Sequence, residues 1–106
     1  MLKHSPIRKP AVDERTAADL AEFFGALSDA SRVRIVATLL DGERHVGAIA
    51  EAIGMSESAV SHQLRGLRQL HLVRARKVGR EVHYALDDDH VSQLVQLGLE
   101  HIGHRG

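Results

Sequence analysis

Two short helical patterns separated by one turn constrain this chain more than any other feature of its sequence. The stretch VGAIAEAIGMSESAVSHQLRGLRQL begins at Val46 with apolar residues at helical spacing, and the segment GMS then interrupts the pattern. Ser56 is a residue type that caps helices. The helix after it has an inward face formed by Val60, Leu64 and Leu67. Two helices joined by a three- or four-residue turn containing glycine are typical of the helix-turn-helix arrangement.

The flanking segments complete one small domain. Upstream, DERTAADLAEFFGAL and SDASRVRIVATLLDG both predict helices, the second capped by Ser28 or Asp29. Downstream, LVRARKVGREVHYAL contains two β-prone runs that flank VG and predict a β-hairpin, and a last helix runs from about Asp88 to Gly103. The predicted fold is mainly α with a β-hairpin wing, a winged helix-turn-helix of about five helices and two strands. It occupies residues 13–106, after a flexible N-terminal arm over residues 1–12.

Apolar periodicity also predicts which residues of the flanking segments face inward. The terminal helices are expected to form the interface of a dimer. The expected apolar faces comprise Ala17, Leu20, Ala21, Phe24 and Leu27 in the first helix, Val33, Val36, Leu39 and Leu40 in the second, Val46, Ile49, Ala50 and Ile53 in the third, Val82, Tyr84 and Leu86 in the hairpin, and Val91, Val95, Gly98 and Ile102 in the last helix.

Composition excludes several classes of function. A chain of 106 residues forms one small domain that association would help to stabilise. Fourteen basic and fourteen acidic residues cancel, and the absence of cysteine excludes disulfides, thiolate chemistry and cysteine-based metal sites. No apolar run approaches the ~20 residues of a membrane span. The start, MLKHSPIRKP, does not resemble a signal peptide, so we expect a cytoplasmic protein with no membrane partner.

The distribution of charge favours duplex DNA as a partner. Six basic residues and no acidic residue lie between Ser58 and Arg80. Hydroxyl, imidazole and guanidinium groups on the outer face of the second helix of the pair suit base edges and phosphates in the major groove, and cations near the wing tip suit phosphates or the minor groove. Only three aromatic residues are present, which provides no stacking platform for single strands. A solvated polar face is the alternative interpretation. The predicted DNA-contacting residues are Ser58, Ser61, His62, Arg65, Lys77 and Arg80.

The last helix carries potential metal ligands at both of its ends. At ~100° per residue, one face holds His90, Leu94, Leu97, His101 and His104. His90 and His101 lie eleven positions apart. That is ~16 Å along a helix, whereas ligand atoms lie ~2 Å from a zinc ion, so the two residues cannot share one metal within a single helix.

Each end of this helix can instead supply half of a tetrahedral site. Antiparallel packing of two copies about a two-fold axis would bring Asp88 and His90 of one copy to His101 and His104 of the other. Two equivalent sites with three nitrogens and one oxygen each would result, and this donor set suits zinc.

The alternative interpretation is that these are ordinary surface histidines behind an acidic helix cap. We adopt the surface interpretation for His45, His71 and His83. Asp87 and Asp89 are interpreted as a cap and a solvated charge rather than as ligands.

Several of these segments resemble one family. ALSDASRVRIVATLL is similar to the second helix of the ArsR/SmtB family of metal-responsive winged-helix repressors, SESAVSHQLRGLRQLHLV to its recognition helix, and GREVHYALDDDHV to its wing and the entry to its last helix. The resemblance covers about Leu20 to His104. It implies a homodimeric transcriptional repressor of operator DNA, not an enzyme.

Within that family the chain looks most like the CzrA-type zinc sensors, whose last helix carries Asp-x-His near its start and His-x-x-His near its end. The resemblance implies that zinc binding releases the operator and controls genes for metal efflux or sequestration. The matching positions here are Asp88, His90, His101 and His104.

Other functions remain as alternatives. Related nickel or cobalt sensors add ligands from the arm or a longer tail, and His4 could serve in this way. A winged-helix repressor that responds to a non-metal signal is a second alternative, and a protein–protein adaptor is a third. A hydrolytic metalloenzyme is disfavoured, because no HExxH motif is present and four protein ligands leave no open position for substrate.

Overall fold

The structure of the chain is a computed structural model that describes residues 12–105, with residues 104 and 105 described by their backbone alone. The predicted arm, apart from residue 12, lies outside the described residues, as does His4. The predicted fold class is confirmed, with one additional strand. The elements are α1 (Glu14–Ala26), α2 (Ala30–Thr38), β1 (Arg44–His45), α3 (Val46–Ile53), α4 (Glu57–Gln69), β2 (Val73–Val78), β3 (Glu81–Leu86) and α5 (Asp89–Arg105).

Short polar side chains begin α2 and α4. The Ser56 hydroxyl accepts a hydrogen bond from the Ala59 N–H at 3.1 Å, which confirms the predicted cap of α4. Of the two candidates before α2, Asp29 rather than Ser28 is the cap, because its carboxylate accepts from the Arg32 N–H at 3.1 Å. Each cap satisfies a backbone donor that has no partner inside the helix.

The predicted turn joins α3 to α4. Gly54 follows the last residue of α3 and has φ 71° and ψ 34°, in the left-handed region that glycine occupies without steric cost. The chain therefore changes direction within the three residues that separate Ile53 from Glu57. The helix-turn-helix arrangement is confirmed.

The core forms where α2, α3 and α4 meet the sheet. Val60, Leu64 and Leu67, the predicted inward face of α4, are fully buried. Their burial determines which face of α4 points inward and leaves its polar face towards solvent. Other buried members of this core are Ile35, Val36, Leu39, Ile49, Ala50, Ile53, Leu72, Val73, Tyr84, Leu86 and Val91.

The predicted apolar face of α2 is shifted. The helix buries Ile35 and Val36, whereas Val33 is only half-buried, so the assignment of Val33 to the inward face is wrong. The helix has nine residues, and Val33 near its start lines an apolar groove with residues of α1 and α5 instead of entering the core.

The apolar stripe of α1 finds little cover within the chain. Ala26 is the one buried residue of α1, and Leu20 and Phe24 remain 45% and 51% exposed. The stripe exists as the sequence predicts, but this chain's own core covers only its C-terminal end.

The second half of α5 is exposed in the same way. Val91 is buried and Val95 packs partly against the core, as predicted, but Ile102 is 63% exposed. The expectation that Gly98 and Ile102 also pack on the rest of the domain is wrong, because both are exposed along the groove beside α1. The groove between α1 and α5 is lined by Phe24, Leu27, Val33, Leu94, Val95, Gly98, Leu99 and Ile102.

The wing is an antiparallel hairpin of β2 and β3. Its strands are joined by Gly79 and Arg80, and Gly79 has φ 62°, a conformation that favours glycine. The predicted alternation is confirmed for Tyr84 and Leu86, which are buried. Val82 is 38% exposed because it lies nearer the tip, where the hairpin leaves the core.

A third strand, β1, was not predicted. It pairs with β3 in an antiparallel manner, with Arg44 opposite Tyr84 and His45 opposite His83, and gives the sheet order β1-β3-β2. With two residues it is too short to show alternation in the sequence. It anchors the wing to the connection between α2 and α3.

No helix of the described part of the chain is long and apolar enough to cross a membrane.

Candidate functional site

The outer face of α4 is polar and accessible. Ser58, His62 and Arg65 are exposed, and Ser61 is half-buried. These four residues follow the spacing i, i+3, i+4 and i+7, which places them on one face of a helix. The structure therefore groups the predicted DNA-contacting residues of this helix on one surface.

The wing brings the other predicted contacts close to that surface. Lys77 and Arg80 are exposed at and beside the turn of the hairpin. Arg80 lines a cleft together with Ser61, although the two residues lie nineteen positions apart in the sequence. Glu57 and Glu81 line the same cleft. The segment from Ser58 to Arg80 contains no acidic residue, but in the folded chain the carboxylates of Glu57 and Glu81 lie beside it.

Two of the six basic residues between Ser58 and Arg80 have structural roles. Arg74 Nη1 donates to the carbonyl oxygens of Leu86 and Asp87 at 2.7 and 2.8 Å. Arg76 donates to both carboxylate oxygens of Glu43 at 2.8 Å. Within residues 12–105, no ion pair involves the remaining four. The exposed cations that make no such contact within the described residues are Arg65, Arg68, Lys77 and Arg80.

Asp88 and His90 meet at the start of α5. Asp88 Oδ1 accepts hydrogen bonds from the N–H groups of His90 at 2.9 Å and Val91 at 3.2 Å, so Asp88 is the cap and the interpretation of Asp87 as the cap is wrong. These bonds, chiefly that from Val91, hold the pKa of the Asp88 carboxyl below its usual range. Oδ2 lies 3.6 Å from Nδ1 of His90, whose side chain is 90% exposed.

The other half of the predicted metal site lies far from this pair. His101 is exposed near the end of α5, eleven positions and ~16 Å of helix beyond His90. The side chain of His104 lies outside the described residues. Among the residues that are described, no group of three or more potential ligands comes together within one chain. One chain therefore offers Asp88 and His90 as a pair and His101 separately.

The chain matches the family model described as bacterial regulatory protein, arsR family, over residues 29–75. It is 42% identical over 94 residues to the cadmium resistance transcriptional regulatory protein CadC homolog of Staphylococcus aureus, which covers 88% of this chain and 78% of that protein. The chain belongs to the arsR family.

Two further relatives extend this result. The chain is 49% identical over 86 residues to the transcriptional repressor SmtB homolog of Synechocystis sp., a match that covers 81% of this chain and slightly less than two thirds, 65%, of that relative. A solved homodimeric winged helix-turn-helix DNA-binding domain from Mycobacterium bovis has a TM-score of 0.76 and 33% identity, covering 91% of this chain and 95% of that one. This arsR-family chain is thus a transcriptional regulator and not an enzyme.

The residues that match the family model do not include α5, the helix that carries His90 and His101. Residues 29–75 include α2, α3, α4 and the start of β2, whereas α1, β3 and α5 lie outside the match. Asp88, His90 and His101 therefore contribute nothing to that match.

Two of the three histidines interpreted as surface residues make specific contacts in this arsR-family regulator. His45 caps α3, with Nδ1 accepting a backbone N–H at 3.2 Å. His83 is half-buried, with ring nitrogens 3.7 Å from Glu43 and 3.2 Å from Glu81. The surface interpretation is wrong for both, and only His71 is exposed as expected. The contact between His83 and Glu43 joins residues 40 positions apart, whereas the His45 cap and the contact between His83 and Glu81 are local.

Proposed function

We propose that this arsR-family regulator is a homodimeric repressor of the CzrA type that binds operator DNA and releases it when zinc binds. The two sites would each combine Asp88 and His90 of one protomer with His101 and His104 of the partner subunit. The regulated genes would serve metal efflux or sequestration. Such a protein acts in the cytoplasm, where its operator and the ion that it senses are both accessible.

The observation that carries the metal proposal is the arrangement of α5. Its first turn presents a carboxylate and an imidazole, and its last turns present His101, yet the distance between them prevents a shared site within one chain. Leu97, 63% exposed, lies between the two ends. A second, antiparallel copy of α5 would cover Leu97 and complete both half-sites in one step.

The donor groups fit a zinc ion. Asp88 uses Oδ1 to cap α5, and Oδ2 accepts no hydrogen bond from the described residues, so the carboxylate can cap and ligate together. The imidazoles of His90 and His101 are exposed. Three nitrogens and one oxygen form a four-ligand set that zinc accepts, and cobalt or nickel would need further ligands for six-coordination.

The exposed apolar surface supports the dimer. Leu20 and Phe24 of α1 and Leu97, Leu99 and Ile102 of α5 are each at least 45% exposed. Of these residues, Phe24, Leu99 and Ile102 line one apolar groove, and apolar patches of this kind mark interaction sites in soluble proteins. The relative from Mycobacterium bovis is described as homodimeric, which supports a dimer here as well.

The polar surface of α4 and the wing supports duplex DNA as the partner. In the proposed complex, residues of α4 enter the major groove and those of the wing contact the neighbouring backbone. A two-fold dimer presents two such surfaces, so the operator is an imperfect inverted repeat. The residues that would contact DNA are Ser58, Ser61, His62, Arg65, Lys77 and Arg80.

Release of DNA requires that the ion bind the free dimer more tightly than the DNA-bound dimer. To shift the ratio of DNA-free to DNA-bound dimer from 1:99 to 99:1, the ion must supply about 5.5 kcal/mol of difference in binding free energy. Two sites would share this at about 3 kcal/mol each. Ligation by Asp88 and His90 of one protomer and by His101 of the partner subunit would tie the two α5 helices together. The dimer geometry so favoured would present the two α4 helices poorly to the operator.

The test is a titration of a fluorescent duplex, selected by the protein from a random library, with protein and a panel of divalent ions. We expect zinc to raise the Kd by at least about 100-fold. His101→Gln should lose this response, and Gln93→Ala, an exposed change on the same helix, should keep it. An unchanged Kd at saturating zinc would overturn the zinc proposal and leave the repressor proposal standing. A response to cobalt or nickel alone would favour the alternative with added ligands.

A further inference from the structure

The side chain of Arg32 connects three helices. It lies in the first turn of α2, is half-buried, and donates from Nε to Oε1 of Gln63 on α4 at 2.8 Å. Its Nη1 also lies 3.5 Å from the carbonyl oxygen of Ala26, the last residue of α1. One guanidinium therefore contacts α1 and α4 while its backbone belongs to α2.

This contact differs in kind from the rest of the packing around α4. Within residues 12–105, Arg32–Gln63 is the one hydrogen bond between side chains of two different helices. The other inward contacts of α4 are made by apolar side chains such as Leu64 and Leu67. Apolar packing tolerates small rotations and shifts, whereas a planar guanidinium directs its donors along fixed lines. Arg32 thus sets the orientation of α4 more narrowly than burial alone does.

The three helices that meet at Arg32 have different surfaces. α1 exposes Leu20 and Phe24, which belong to the proposed dimer interface, and α4 exposes the proposed DNA-contacting face. Gln63, which accepts the hydrogen bond from Arg32, is next in sequence to His62, which is exposed on the proposed DNA-contacting face. The contact lies on a short path between the dimer interface and the DNA-contacting surface.

We infer that Arg32 and Gln63 form a positioning contact that fixes the angle of each α4 to the dimer axis, and so determines how strictly the spacing of operator half-sites is recognised. This inference rests on the proposed dimeric DNA-binding function but not on zinc. Neither residue is assigned a contact with DNA or metal.

The contact would control how strictly the dimer recognises the number of base pairs between the two operator half-sites. One additional base pair between half-sites rotates one of them by ~34° relative to the other, since B-DNA has ~10.5 base pairs per turn. A dimer with rigidly held α4 helices fits one spacing and must deform the DNA or itself at the others. A dimer with loosely held helices adapts to several spacings.

The experiment measures the affinity of the full chain for one duplex, selected by the wild-type protein from a random library, and for derivatives with one base pair added or removed at the centre. We expect the wild type to lose about 30-fold in affinity at either altered spacing. Arg32→Lys and Gln63→Leu should reduce this penalty to about fivefold or less, and the double variant should match the single ones. Gln63→Glu, which retains an acceptor, should keep the penalty.

Matched variants separate positioning from stability. Arg34→Lys changes an exposed arginine of the same helix and should leave the spacing penalty intact. Gln63→Asn shortens the side chain, retains its polarity and is the substitute if Gln63→Leu does not fold. Equal weakening at all three spacings would show that the contact only stabilises the fold, and would overturn the inference. A wild-type chain that does not bind duplex DNA as a dimer would instead refute the proposed function.

Discussion

Glu43 and Arg76 form a two-point ion pair across 33 positions of sequence, with Nε and Nη2 of the arginine each 2.8 Å from a carboxylate oxygen. The pair joins the segment before β1 to the middle of β2 and so fixes the wing to the body of the domain. The Arg76 hydrogen bond holds the pKa of the Glu43 carboxyl below its usual range, and Glu43 in turn raises the pKa of Arg76. It also pairs one of the six basic residues that lie between Ser58 and Arg80 with a carboxylate.

Acid should therefore loosen the wing through Glu43. Because folding lowers the pKa of this carboxyl, its contribution to stability is present above the ordinary pKa of 4.5 and is lost as the pH falls through the lower folded value. The protection factors of the β2 amides, which correct for the slower intrinsic exchange in acid, should fall over this acid window in the wild type. Glu43→Gln should exchange faster already at pH 7 and lack that acid step. Glu51→Gln, an exposed change on α3, is the control and should behave as wild type.

Leu64 should be among the most costly positions to shorten. Its side chain is fully buried on the inward face of α4, so Leu64→Ala removes apolar contacts and leaves a cavity. We expect a loss of about 2–5 kcal/mol in the free energy of unfolding, measured by urea denaturation. Leu64→Met retains most of the volume and should cost less than about 1.5 kcal/mol. A loss below 1 kcal/mol for the alanine variant would contradict the packing of α4 described above.

Phe24 should affect association more than folding. It is 51% exposed on α1 beside the apolar groove, so a charge there would be solvated in a monomer and buried in the proposed dimer. Phe24→Glu should raise the dimer dissociation constant by at least about 100-fold in sedimentation equilibrium, with helical content unchanged. Ala52→Glu places the same charge on exposed α3 and serves as control. If Phe24→Glu remains fully dimeric at low micromolar concentration, α1 does not form the interface.

His101 and His62 should separate metal response from DNA affinity. His101→Ala should abolish zinc-driven release yet retain the affinity of the metal-free protein for the selected duplex, because α5 lies outside the proposed DNA surface. His62→Ala should weaken DNA binding by about 5–100-fold, with zinc affinity nearly unchanged in calorimetry. Loss of both properties in His101→Ala would mean that this histidine chiefly supports the fold.

Local patterns were sufficient for most of the fold. Ser56 caps α4 as predicted, Gly54 makes the turn, and Val60 and Leu64 face inward, since capping and periodicity act over a few residues. The same local reasoning failed at His45. Its ring caps α3 by accepting the Ala48 N–H, and histidine is not among the residue types that predict a cap.

The candidate metal site was only partly accessible to sequence reasoning. Spacing on one helix was sufficient to predict that His90 and His101 cannot share an ion within one chain. The use of Asp88 Oδ1 as the cap of α5 was not predicted, because three consecutive aspartates are equivalent in composition and only the backbone path distinguishes them. The intersubunit arrangement stays a prediction.

The sequence by itself determined the five helices, the hairpin, the inward face of α4 and the polar types along its outer face, because these depend on residues at most a few positions apart. Only the tertiary structure decided where β1 forms, which cations are held by carboxylates or carbonyl oxygens, which helix surfaces lack cover and which side chains link the helices. Glu43–Arg76 and Arg32–Gln63 join residues 33 and 31 positions apart, so the path of the folded chain alone could bring them together. An apolar stripe such as that of α1 is readable in sequence, but what covers it depends on how the whole domain packs.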